Sequence, residues 1–173
     1  MSTPLRALFA GLLAGGLATS LAHAAEPPAN PVAAALAQGK GISGMVVADG
    51  WKVVELERGY GEPTQTGAWV RFHYVGWLYD AKAPEGKGEQ FDSSIERGEP
   101  FVFQLGKQRV IMGWEAGLLG MRSGGKRRLI VPPALGFGDK GAGGKNGAKA
   151  IPANATLLFE IELIDFLPPV SKP

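Results

Sequence analysis

Two glycine-rich stretches have spacings that can cradle a phosphate. In "ALGFGDKGAGG", residues 134–144, Gly136-x-Gly138-x-x-Gly141 matches a dinucleotide-binding turn. In "GMRSGGKR", Gly120-x-x-x-x-Gly125-Lys126 is a P-loop with Arg127 where a Ser or Thr would hold magnesium. Context argues against both. A dinucleotide turn follows a strand and opens a helix, whereas "GDKGAGGKNGAKAIPANA" has no helical period. The P-loop candidate reads helix first and strand after, the reverse of the required order. Asp92-Ser93-Ser94 offers a fragment of a hydrolytic triad, but a triad needs a positioned base. His73 is the only histidine beyond residue 24, and one strand histidine is more often half-buried than catalytic. One histidine among scattered carboxylates makes no metal site. With no cysteine, thiol nucleophiles, disulfides and cysteine-bound zinc are excluded. What remains is binding alone, or a reaction needing no proton transfer, covalent bond, metal or cofactor.

The chain of 173 residues carries 26 Gly and 13 Pro, which favours a turn-rich β or α+β fold over a helical bundle. A formal charge of +2 leaves no basic tract for nucleic acid. Residues 1–24 read as a cleavable export signal: Arg6, then the small-residue apolar run "ALFAGLLAGGLATSLA", then Ala22-His23-Ala24. Cleavage after Ala24 predicts a periplasmic protein with no membrane anchor. Residues 25–42 are a Pro- and Ala-rich lead-in, residues 43–168 the domain, and residues 169–173 a short tail.

Strand signals dominate the domain. "MVVADGWKVVELERG" has two β-branched runs broken at Asp49-Gly50, a hairpin cue. "AWVRFHYVGWLYD" alternates, with Val70, Phe72, Tyr74 and Leu78 on one face. "PFVFQLG" and "KRRLIVPP" are shorter strands. "ATLLFEIELIDF" puts Leu157, Phe159, Ile161 and Leu163 on one face, with Leu158, Glu160, Glu162 and Ile164 on the other. Only "RVIMGWEAGLLGM" has helical spacing, through Val110, Trp114, Gly117, Leu118 and Met121. Its glycines weaken it as an isolated helix, so packing must hold it. The fold expected is α+β: a strongly bent antiparallel sheet wrapped on one short amphipathic helix.

This layout resembles the FKBP family of peptidyl-prolyl cis-trans isomerases. The resemblance rests on "VRFHYVGWLYD", "FDSSIERGEPFVFQLGKQRVIMGWEAGLLGM", "GGKRRLIVPPALGFG" and "IPANATLLFEIELIDF", in that order. It implies a half-barrel sheet around a short helix. "LYDAKAPEGKGEQFDSS" resembles the longer strand-to-strand loop of bacterial, exported members. The resemblance implies a pocket floored by Trp114 and walled by Tyr74, Phe91, Asp92, Phe101, Val110, Ile111, Ile151 and Phe159. Of these, Tyr74, Asp92, Trp114 and Phe159 would serve the reaction itself. Arg97 would sit near Asp92 and Tyr74, and the Ile111 N–H would meet a substrate carbonyl. "LGFG" would form the lip, with Phe137 where the family usually has a hydrogen-bonding Tyr, and residues 139–149 a flap. Implied partners are proline-containing polypeptides and the macrolide inhibitors of the family, and with no sign of the long helical arm by which some bacterial relatives dimerise, a monomer is expected. The alternative is an FKBP-fold chaperone or peptide-binding module with little or no turnover.

Overall fold

A computed structural model describes residues 50–144 and 148–169. The expected export signal, lead-in and first arm of the Asp49-Gly50 hairpin, and most of the expected tail, lie outside the described residues. Six strands form one antiparallel sheet: β1 (Lys52–Glu57), β2 (Trp69–Tyr79), β3 (Lys87–Ser93), β4 (Phe101–Gln104), β5 (Lys126–Val131) and β6 (Leu157–Leu167). The order is β1-β5-β6-β2-β3, and β4 pairs with the start of β2. β2 and β6 are long because each alternates over 11 residues, and they form the spine of the sheet. A register shift between Arg71 and Phe72 bends that spine.

The alternation read from sequence sets the core. Val70, Phe72 and Tyr74 of β2 are buried, as are Leu157, Phe159, Ile161 and Leu163 of β6. Leu158, on the opposite face, is fully buried too. The chain between β2 and β3 folds over it: a Cβ at Gly86 would lie 3.4 Å from Leu158 Cδ1. The long connection thus covers a sheet face that alternation alone assigns to solvent.

Among the described residues two α-helical segments interrupt the strands. α1 (Ser94–Arg97) is a single turn that the sequence pattern does not reveal. Ser93 caps it, accepting from the Glu96 N–H at 3.2 Å, and Gly98, at φ 72°, ends it in the left-handed conformation. α2 (Met112–Leu118) is shorter than its apolar period. Ile111 caps it and Leu119 ends it, so Val110 and Met121 pack from the flanking loops.

α2 lies against β5 through its glycines. A Cβ on Gly113 would come within 2.6 Å of Val131 Cγ1, and one on Gly117 within 2.2 Å of Leu129 Cδ1. The glycines that weaken α2 in isolation are what permit its close approach to the sheet. At the far end of α2, the buried Arg127 donates from Nη1 to the Gly117 and Leu119 carbonyls, both at 2.8 Å. These acceptors have no partner within the helix, and the guanidinium supplies one. Burial lowers the Arg127 pKa, and Glu55, 3.5 Å away, opposes that shift.

Candidate functional site

The other side of α2 opens into a cavity of about 750 Å³. Trp114 forms part of its lining and is 7% exposed. The indole is ringed by Tyr74 at 4.6 Å, Phe101 and Phe159 at 5.3 Å and Phe72 at 5.4 Å between centroids. Most of these pairs are edge-on, the arrangement aromatic quadrupoles favour. Trp114 Nε1 finds no hydrogen-bond partner among the described residues, so packing alone holds the indole. Phe91 completes the ring, 5.6 Å from Phe159. Gly76 makes that contact possible, since a Cβ there would sit 2.6 Å from Phe91 Cζ and 3.0 Å from Phe159 Cε1.

The run "FDSS" positions the polar part of the site one residue at a time. Asp92 Oδ2 accepts from the Tyr74 hydroxyl at 2.5 Å, and Oδ1 accepts from the Ser93 N–H at 2.8 Å. Arg97, carried by α1, pairs with Asp92 and donates to the Tyr74 hydroxyl at 2.9 Å. Ser94 fixes the Tyr74 backbone: its hydroxyl accepts from the Tyr74 N–H at 2.8 Å and donates to the Tyr74 carbonyl at 3.2 Å. The carboxylate among aromatics therefore has three donors, as a half-buried charge requires. Burial, then the bond to Asp92, pushes the Tyr74 phenol up to about 12, with Arg97 opposing. The phenol stays neutral and is a donor at physiological pH. Its bond raises the Arg97 pKa further, with Asp92 adding to it.

The loop between β4 and α2 forms another wall. Glu115, fully buried, accepts from the Gly106 N–H at 2.6 Å and the Gln108 N–H at 2.8 Å. Gln108 has φ 52°, a conformation that side chains disfavour, and the carboxylate holds it there. Val110 and Ile111 follow and line the cavity. On the opposite side Phe137, 37% exposed, stands at the lip. The flap closes back on the wall: Lys149 N–H donates to the Phe91 carbonyl at 2.8 Å, and Ala142 bridges to Ile151. Residues 145–147 of the flap lie outside the described residues.

Tyr74, Phe91, Asp92, Phe101, Val110, Ile111, Trp114, Phe137, Ile151 and Phe159 thus all line one cavity. Arg97 does not line it. It stands behind, 5.7 Å from the Tyr74 ring centroid, and supports Tyr74 and Asp92. Glu115 and Arg127 escape sequence reasoning because their partners are backbone groups that no residue pattern encodes. The phosphate spacings gain nothing: Gly136 and Gly138 flank Phe137, and among the described residues no helix opens at Gly141. Ser94 does meet His73 Nδ1 at 3.0 Å. Its hydroxyl is fully buried and bonded to the Tyr74 backbone, so it is no nucleophile. Among the described residues no cluster of His, Asp and Glu has the makings of a metal site.

An apolar hollow with an indole in its lining and a single, fully engaged carboxylate defines a class of site built to enclose an apolar group. Residues 60–164 match the family model of FKBP-type peptidyl-prolyl cis-trans isomerases, and the chain belongs to that enzyme family. It is 50% identical over 105 residues to FK506-binding protein 2B of Rhizopus delemar, covering 61% of this chain and 45% of that one. It is 41% identical to the FK506-binding protein of Neisseria meningitidis serogroup A, covering 65% of this chain and 92% of that one. The crystal structure of AtFKBP13 superposes with a TM-score of 0.55 at 42% identity, covering 67% of this chain and 92% of that one. The antiparallel sheet around a short helix expected from the sequence is therefore the observed fold, shared with that neighbour.

Proposed function

We propose that this chain accelerates rotation about X-Pro bonds in exported polypeptides, by burying the proline ring in the hollow over Trp114. The observation that carries this reading is the aromatic cavity itself, whose one carboxylate is engaged by Tyr74, Arg97 and a backbone N–H. Peptide bond rotation faces a barrier of ~18–20 kcal/mol from amide resonance. Uncatalysed X-Pro exchange takes tens to hundreds of seconds. In the twisted transition state resonance is lost and the amide is less dipolar. An apolar site penalises the planar, polar ground state more than the twisted one, and the walls hold the chain in a turn. Lowering the barrier by ~5 kcal/mol gives between 10³ and 10⁴ in rate. Trp114 and Phe159 supply the apolar surface, Tyr74 and Asp92 a fixed polar edge, and the Ile111 N–H a donor for a substrate carbonyl. Phe91, Phe101, Val110, Phe137 and Ile151 enclose the ring.

A protease-coupled assay on a Leu-Pro peptide tests this. Wild type accelerates exchange and Trp114→Ala does not; equal rates for the two would contradict the reading. The segment 1–24 supports action in the periplasm after cleavage at Ala24, and a mature protein retaining that segment would refute the cleavage. Among the described residues no helix is long and apolar enough to cross a membrane. Phe137 favours a second reading. With no hydroxyl at the lip, the same hollow can serve a chaperone that binds proline segments, or macrolides, with little turnover.

A further inference from the structure

Asp92, Arg109 and Lys149 are the charged side chains that line the cavity. Asp92 is engaged internally, and Lys149 Nζ lies 2.8 Å from Glu89 Oε1. Arg109 has no ion-pair partner and no side-chain hydrogen bond among the described residues. The backbone sets its position. Gly106 at φ 82° and Gln108 at φ 52° turn the chain just before it. The N–H groups of both donate to the buried Glu115 carboxylate. Val110 and Ile111, just after it, are partly buried against the core. Arg109, exposed and part of the cavity lining, is therefore held at the rim of an apolar hollow by a segment anchored on both sides. Among the described residues nothing neutralises it, and a carboxylate from the ligand would.

We propose that Arg109 makes this site select proline segments that carry an acidic side chain next to the X-Pro pair. This rests on the isomerase reading of the cavity. Arg109 acts on binding, so the preference falls on KM rather than kcat.

The test is a peptide series around one Leu-Pro pair, with Glu, Gln or Lys at the residue on either side. Turnover is measured by the protease-coupled assay and affinity by quenching of tryptophan fluorescence. At low salt, wild type favours the Glu peptide over the Gln peptide by roughly two- to fivefold, the range of an exposed ion pair. High salt erases the preference. Arg109→Gln brings the Glu-to-Lys ratio close to one, and Arg109→Glu inverts it. A wild-type ratio of one, or a ratio unchanged in both variants, would overturn the proposal. If no peptide is accelerated, the isomerase reading fails, while the order of affinities still decides the role of Arg109.

Discussion

The two sides of α2 are built to opposite ends. Toward β5 the helix is sealed: Gly113 and Gly117 bring its backbone onto Val131 and Leu129, and Arg127 closes its last carbonyls. Toward β2 and the flap it is open: Trp114 lines a cavity of about 750 Å³. The two carboxylates of the region divide the same way. Glu115 is wholly buried, bound to two backbone N–H groups of the loop before α2. Asp92 lies at the cavity wall, bound to Tyr74, which lines the cavity with it, and to Arg97 behind. A seven-residue helix is too short to be stable by itself, so its packing against β5 is what holds its other face at the cavity wall.

The largest effect is expected on the sealed side. Glu115→Gln keeps the volume but turns one acceptor into a donor that faces a backbone N–H. The loss should be about 1.5–3 kcal/mol, the range for hydrogen bonds to a charged group. Urea unfolding measures it, and peptide affinity falls as Val110 and Ile111 shift. No change in either would show that the loop stands without its anchor.

On the open side Tyr74→Phe removes two hydrogen bonds, the one donated to Asp92 and the one accepted from Arg97, about 1–2 kcal/mol together, while leaving Asp92 its bonds to Arg97 and the Ser93 N–H. The phenol also carries a pH signature. Its pKa is about 12 in the folded chain against an ordinary 10.0. Its contribution is complete below pH ~10 and lost as the pH rises through about 12, because the unfolded phenol ionises first. Urea midpoints measured in that range should fall more steeply for wild type than for Tyr74→Phe. Parallel slopes would remove the phenol from the polar edge.

The smallest effect belongs to the rim. Phe137→Tyr leaves stability unchanged and restores a hydroxyl to the lip, tightening macrolide binding by up to about 1 kcal/mol. Calorimetry showing equal or weaker binding would mean that no ligand carbonyl reaches it.

The open side was far more legible in the sequence than the sealed side. Alternation in β2 and β6 identifies Phe72, Tyr74 and Phe159 as inward-facing, and the resemblance gathers the other aromatics around Trp114. Aromatic side chains in periodic strands leave a clear trace. The sealed side leaves little. Gly113 and Gly117 look like helix weaknesses until Val131 and Leu129 are placed against them, because close approach depends on a partner distant in sequence. Arg127 reads as a solvent-facing charge in "KRRLIV", and Glu115 as an ordinary helix acid. Leu158 misleads for a related reason: the loop that covers it follows no period.

The central claim is that the hollow twists a proline bond with no proton transfer, and the pH profile of kcat/KM for a Leu-Pro peptide tests it most directly. Over the range in which the folded state is constant, the profile should be flat, since no group in the site gives or takes a proton during rotation. A bell-shaped profile, reporting an essential acid and base, would contradict it.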